Sequence, residues 1–219
     1  MRLGLIGTGK QGQRYLLEKN GGRHITVSGS RRIPLDNVDG VIIATHPGAH
    51  RDLALECIWR GKAVLIEKPL ALNLKDCLEV IDAAQARGVA FDVAHTHLWS
   101  EGWDPPGSSN VIGSGWLAYD KHDRDYSPWL DWAPHLLALV ASRVHEYGPK
   151  ELQRAVSIER GPRREMNVAV GAGPSRYHYR GDCAGEHTPM WHMVEEFAQK
   201  QPKNYAFNRR VYRALFAEE

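Results

Sequence analysis

The apolar positions of this chain follow two different rhythms. In residues 1–97, short continuous apolar runs alternate with stretches whose apolar residues recur at helical spacing. Arg2–Ile6, His24–Gly29, Val41–Ala44, Ala63–Ile66 and Val89–Ala94 read as buried strands. Between them, a helix opens at the glycines after Ile6 and runs to about Glu18, closed by Asn20-Gly21-Gly22. A second spans Ala49 to Arg60, with Leu53, Cys57 and Ile58 on one face and Gly61 as its stop. A third begins at Asn73, where Asp76 completes a capping-box-like start, carries Cys77, Leu78, Ile81 and Ala84 on one face, and ends at Gly88. Short apolar strands separated by helices predict a parallel sheet with crossover helices.

The rhythm changes near Leu98. Glu101–Asn110, with Pro105-Pro106-Gly107, reads as a linker or surface loop. Beyond it, longer alternating strands are predicted around Trp116–Lys121, Leu152–Arg160, Glu165–Val170 and Arg176–Arg180. One helix, Pro134 to about Tyr147, lies between the first two and is terminated by Gly148-Pro149; Met190–Gln199 and Arg209–Phe216 also read as helices. The expected fold class is α/β, with a second, smaller α+β domain on a mostly antiparallel sheet. The division falls near residue 98, giving domains 1–98 and 99–219. The chain has no internal repeat or low-complexity tract.

Composition narrows this picture modestly. The 219 residues carry a net charge of +2 and 25% charged residues, so no nucleic-acid partner is expected. Basic residues are scattered apart from Arg31-Arg32 and Arg163-Arg164, the second of which reads as solvated surface. The three cysteines (Cys57, Cys77, Cys183) cannot all pair internally; Cys57 and Cys77 fall on apolar helix faces, as in a reducing compartment. No apolar run approaches the ~18 residues of a membrane span. Leu3–Gly7 is too short for a signal-peptide core. The expected location is cytoplasmic.

Gly7-Thr8-Gly9-Lys10-Gln11-Gly12 stands between a predicted strand and a predicted helix, the context in which such glycines bind a dinucleotide pyrophosphate. Gly7 permits the tight turn, Gly9 lets the backbone approach the anion, and Gly12 lets the helix pack on the sheet. The first domain is therefore expected to be a Rossmann domain. A carboxylate at the end of the second strand would favour NAD; this chain has Ser28-Gly29-Ser30-Arg31-Arg32 instead. The Ser30 hydroxyl and the guanidinium forks of Arg31 and Arg32 suit a 2′-phosphate, which favours NADP(H) over NAD(H). Asp36 competes for the NAD reading, but lies well past the strand end. Only ten residues separate Ser30 from Val41, fewer than a parallel crossover needs, so the second crossover helix is expected to be absent.

Several segments together resemble the glucose–fructose oxidoreductase/inositol dehydrogenase (Gfo/Idh/MocA) family. They are the glycine motif, the turn Ala44-Thr45-His46-Pro47-Gly48-Ala49-His50, the stretch Gly61–Ala71 around Glu67-Lys68-Pro69, and Leu130-Asp131-Trp132-Ala133-Pro134-His135. Val194-Glu195-Glu196-Phe197 and the last helix are similar to the family's C-terminal end. The resemblance spans nearly the whole chain, and Glu-Lys-Pro is its most specific part. Family members are usually much longer, so this chain is expected to be trimmed. Ala133 stands for the common glycine and Ala138 where an aspartate often follows the histidine.

The resemblance implies a redox enzyme acting on the CH–OH group of a sugar, cyclitol or nucleotide-sugar, and a homodimer through the second-domain sheet. It implies that His135 is the acid/base, with Lys68 and Asp131 beside it, and that Thr45, His46, His50, Glu67 and Lys68 join the cofactor site. The chemistry agrees. A hydroxyl carbon that loses a hydride needs a base for its proton, and imidazole titrates near neutrality. Asp131 and His135 are four residues apart and share a helix face if the helix starts near Asp131. His50 reads equally as a nicotinamide neighbour or a surface residue at a helix start.

Five of the seven tryptophans lie between Trp99 and Trp132. Packing of the second domain accounts for most, while Trp129 and Trp132, flanking Asp131, are candidate substrate contacts. His97, at the end of the fifth strand, is another. His95 with His97, and Cys183 with Glu186 and His187, lack tetrahedral metal spacing, so no metal is expected. Two alternatives stay open: a bilin-type reductase, since the family includes biliverdin reductases, and a non-catalytic dinucleotide sensor or interaction protein.

Overall fold

The computed structural model describes residues 1–17, 24–99, 111–117, 130, 133–135, 137–138, 141–142, 155–159, 164–170, 179–180 and 190–216. The apolar runs of the first half form a five-stranded sheet in the order β2-β1-β3-β4-β5. Its strands are β1 (Leu3–Ile6), β2 (Ile25–Gly29), β3 (Gly40–Ile43), β4 (Ala63–Ile66) and β5 (Phe91–Val93). Every pairing in it is parallel. β1, β3 and β4 are buried at every residue, which is why their sequences are continuous apolar runs and do not alternate. β2 lies at the edge and is only partly buried.

Helices cover both faces. On one, Leu3, Leu5, Ile42 and Leu65 meet Tyr15 of α1 (Lys10–Leu17) and Met190, Met193, Val194 and Phe197 of α4 (Met190–Lys200). On the other, Ile6, Val41, Ile43, Val64 and Ile66 meet α2 (His50–Trp59), α3 (Leu74–Arg87) and α5 (Tyr205–Leu215). Ala133, Leu137, Ala138 and Ala141, in the helical stretch expected from Pro134, join that second cluster. The expected boundary at residue 98 therefore does not bound the core, because α4 and α5 come from the end of the chain and cover the first sheet. α5 also begins at Tyr205, earlier than the Arg209 expected from its apolar spacing.

Local signals explain the helix ends. Asn73 Oδ1 accepts the Asp76 N–H at 2.9 Å to open α3, and Gly88 closes it with φ 64°. Between β2 and β3, residues 30–39 hold a three-residue 3-10 turn, Leu35–Asn37, where a crossover helix would stand. Ile33 from this short link packs over β1: a Cβ on Gly4 would lie 2.1 Å from its Cδ1, so a side chain there would push the Ile33 terminus aside.

A second sheet has the order β7-β8-β6-β9, built from β6 (Val111–Leu117), β7 (Ala155–Glu159), β8 (Arg164–Val170) and β9 (Tyr179–Arg180). β8 pairs antiparallel with both β6 and β7, whereas β9 runs parallel to β6, so the sheet is mixed. β6 starts earlier than the expected Trp116, because Gly113 and Gly115 mask its strand character.

Candidate active site

Since all strands of the first sheet point the same way, their carboxyl ends gather along one edge. β1 leads into Gly7–Gly12, β2 into Ser30–Arg32, β3 into Thr45–His50, β4 into Glu67–Leu70 and β5 into Ala94–Trp99. Open parallel sheets bind ligands at this edge.

The three glycines of the first loop serve three purposes. Gly7 has φ 101° and donates its N–H to Gly29 O at 2.8 Å; a Cβ there would come within 2.4 Å of Ala44 O. A Cβ on Gly12 would lie 1.8 Å from Gly7 O, so the helix can approach the loop only without one. A Cβ on Gly9 would meet nothing within 4 Å. The space over Gly9, at the start of α1, is the opening that a pyrophosphate would fill, facing the N–H groups of the first helical turn. Thr8 is partly buried and Lys10 exposed beside it. The residues present thus fit the phosphates of a dinucleotide.

Ser30, Arg31 and Arg32 are all exposed just past β2. Gly29 allows the chain to double back there, since a Cβ on it would lie 2.3 Å from Arg32 O. Asp36 sits in the later 3-10 turn, also exposed.

Thr45 and His46 form the turn after β3. His46 is exposed, and its Nδ1 accepts the Gly48 N–H at 3.2 Å to cap the 3-10 turn Pro47–Ala49. Two residues expected at the cofactor site are buried. His50 is fully buried, with Nδ1 2.8 Å from Pro69 O and Nε2 3.0 Å from Thr45 O. It is therefore not a surface residue at a helix start; it stands between two turns, and burial holds its pKa below the usual histidine value. Glu67 is also buried. Its Oε1 accepts the Tyr15 hydroxyl at 2.6 Å and Gln11 Nε2 at 2.8 Å, so it serves α1 and the glycine loop from beneath.

Lys68 follows Glu67 and is partly exposed, on the edge shared with the glycine loop. His135 is buried within the helical stretch whose Ala133 and Leu137 enter the same apolar cluster as Leu70 and Ala71, two and three residues after Lys68. Asp131, Trp129 and Trp132 lie outside the described residues, as do Cys183, Glu186 and His187. His97 lies in the 3-10 turn Thr96–Trp99 at the exit of β5. Among the described residues no group of three or more His, Cys, Asp or Glu gathers as a metal site, and no helix is long and apolar enough to cross a membrane.

Four supporting residues escape sequence reasoning. Tyr15 stands four residues from Gln11 on α1, which puts both on Glu67, yet nothing local marks the pair. Asn204, Asn208 and Tyr212 recur every four residues along the start and face of α5. Asn208, fully buried, donates to Asp92 Oδ1 at 2.9 Å and lies 3.3 Å from His95 Nε2. Asn204 donates to Asp92 Oδ2 at 2.7 Å, and the buried Tyr212 hydroxyl accepts the Leu70 N–H at 2.8 Å. The available signal was that Asn208 falls on the same face as the apolar Val211, Tyr212 and Leu215 of this amphipathic helix.

Known proteins share this arrangement. A family model described as an oxidoreductase family with an NAD-binding Rossmann fold matches residues 26–95. Inositol 2-dehydrogenase 2 of Saccharopolyspora erythraea is 43% identical over 68% of this chain and 52% of its own length. 1,5-Anhydro-D-fructose reductase of Ensifer adhaerens is 37% identical over 41% of this chain and 26% of its own. The chain spans about half the length, or less, of these curated relatives. UDP-N-acetylglucosamine 3-dehydrogenase of Acidithiobacillus ferrooxidans superposes with a TM-score of 0.71 at 18% identity, over 99% of this chain and 96% of that one. A Gfo/Idh/MocA family oxidoreductase of Vibrio cholerae gives 0.66 at 13% identity, over 100% and 96%. At such identities the superpositions establish a common fold. The sequence matches, which run across the parallel sheet, place the chain in the Gfo/Idh/MocA family of oxidoreductases.

Proposed function

We propose that this protein is an oxidoreductase that moves a hydride between NADP(H) and an alcohol or ketone carbon of a sugar, cyclitol or nucleotide-sugar, with the second sheet framing the substrate side. One observation carries the reading. The glycine cradle and the turn bearing Lys68 stand on the same sheet edge and are tied together by the Gln11–Glu67 hydrogen bond of 2.8 Å. A bound nicotinamide ring supplies or accepts the hydride. Lys68 donates a hydrogen bond to the reacting oxygen, where an ammonium group stabilises developing negative charge. His135 takes or returns the hydroxyl proton, and Asp131 orients the substrate or the imidazole. The names of the relatives, an inositol dehydrogenase, an anhydrofructose reductase and a nucleotide-sugar dehydrogenase, support a ring alcohol or ketone as substrate. The exposed hydroxyl and guanidinium groups of Ser30, Arg31 and Arg32 support NADP(H).

The test is a fluorescence titration with NADPH and NADH, followed by turnover assays with myo-inositol and UDP-N-acetylglucosamine among a panel of ring alcohols. NADPH is expected to bind about tenfold more tightly than NADH, with Arg31→Ala and Arg32→Ala together removing the difference. Lys68→Ala and His135→Ala are expected to lower turnover by about 10²–10⁴-fold while leaving cofactor affinity in place. Binding of neither nucleotide, or full turnover by Lys68→Ala, would overturn the proposal; cofactor binding without turnover of any ring alcohol would favour a sensor.

A further inference from the structure

Lys68 is followed by two buried residues whose main chain is gripped by side chains from distant parts of the chain. His50, at the start of α2, has Nδ1 2.8 Å from the Pro69 carbonyl oxygen. Tyr212, in α5 and 142 residues along the chain from Leu70, accepts the Leu70 N–H at 2.8 Å. On the near side of Lys68, the Glu67 N–H donates to Ile43 O at 2.8 Å, and the Glu67 carboxylate is held by Tyr15 and Gln11. Backbone anchors thus lie on both sides of Lys68, while its own side chain reaches partly into solvent.

We propose that His50 and Tyr212 are positioning residues for Lys68, setting the point from which its side chain reaches the cofactor's reactive ring. This rests on the reading of Lys68 given above. The physical argument concerns reach. A lysine side chain has four rotatable bonds and a compact charge, so the aim of its ammonium depends on where its Cα is held. A shift of about 1 Å at a catalytic group is enough to cost two orders of magnitude in rate. Nothing in the apolar core needs a hydroxyl at position 212 or an imidazole at position 50. Tyr212 and His50 are both fully buried, and each spends its polar atoms on the main chain of a turn at the sheet edge. Without the Tyr212 hydroxyl, the buried Leu70 N–H would have to find another acceptor, and the turn would move to provide one. His50 Nε2 also lies 3.0 Å from Thr45 O, so the same ring stands between the turn after β3 and the turn after β4, its single N–H as neutral imidazole donating to one of the two carbonyls at a time.

The test needs no known substrate. Tyr212→Phe keeps the ring that fills the core, and His50→Gln keeps a side-chain donor; both full-length variants are first checked for an intact thermal transition. Hydrogen exchange of the peptide containing Leu70 is then compared with wild type, together with competitive acetylation of Lys68 by acetic anhydride, with Lys62 and Lys75 as internal references. In Tyr212→Phe the Leu70 amide is expected to exchange about fivefold faster. In both variants the acetylation rate of Lys68 is expected to change by about threefold or more while Lys62 and Lys75 keep theirs. A core-filling role alone would leave the relative rate of Lys68 unchanged. Wild-type rates at both Leu70 and Lys68 in the folded variants would overturn the proposal. Protection of Lys68 by NADPH in the wild-type chain tests the underlying site separately: if NADPH gives no protection but the variants respond, the cofactor placement fails and the grip on the turn stands.

Discussion

Burial pushes the carboxyl of Asp92, on β5, up to about 6, although hydrogen bonds from Asn208, Asn204 and the Val93 N–H favour its charged form; Glu196 adds to the rise. The unfolded value is 3.8, so between about pH 4 and pH 6 the folded chain holds a proton that the unfolded chain has lost. Stability from this group is therefore greatest on the acid side of that window and declines as pH rises through it. Asp92→Asn is expected to remove this slope, seen as a urea midpoint that no longer falls between about pH 4.5 and 6.5 relative to wild type. His50 acts with the opposite sign. Burial lowers its pKa from 6.5, so the stability it supports is complete above that value and falls as pH drops below it. His50→Gln is expected to flatten the loss on acidification in the same titration. The chemical identity of such residues was legible, since His50 and Lys68 stand in motifs that mark them. Their partners were not: Tyr15 meets Glu67 across 52 positions and Tyr212 meets Leu70 across 142, separations that no local pattern encodes.

Among elements, the loop from β1 to α1 separates folding from binding most clearly. Gly9→Ala adds a methyl group to open space, so it is expected to leave the thermal transition nearly in place while weakening NADPH binding by about tenfold or more in a fluorescence titration. Gly12→Ala drives a methyl group to within 1.8 Å of Gly7 O, so it is expected to lower stability by about 1–3 kcal/mol in a denaturant titration whether or not cofactor is present. Equal effects of the two on the thermal transition would remove the distinction. This loop could be read in advance because strand, turn and helix signals coincide within ten residues. The buried strands were legible for a related reason: a parallel strand covered on both faces needs apolar residues throughout, and β1, β3 and β4 have them. β6 was read too late in the chain because glycines at 113 and 115 dilute the same signal.

At the scale of the molecule, chain order and spatial order part company. The alternating first half looks self-sufficient in sequence, yet both faces of its sheet are completed by helices from the last thirty residues. α4 places Met193, Val194 and Phe197 on one face, and α5 places Val211, Tyr212 and Leu215 on the other, each 3% exposed or less. At roughly 2 kcal/mol for each buried side chain, these six approach the entire 5–15 kcal/mol by which a domain is stable. Sequence periodicity identified both helices but could not assign them to a sheet more than ninety residues earlier, since an amphipathic face specifies only that something apolar must cover it. A chain ending at Trp99 is therefore expected to lose its cooperative thermal transition and to bind 8-anilinonaphthalene-1-sulfonate, the dye that reports exposed apolar surface. Adding residues 190–216 in trans is expected to restore a transition if the two pieces associate. A chain ending at Trp99 that melted cooperatively without them would show that the first sheet carries its own core, and that the C-terminal helices are attached to a finished domain.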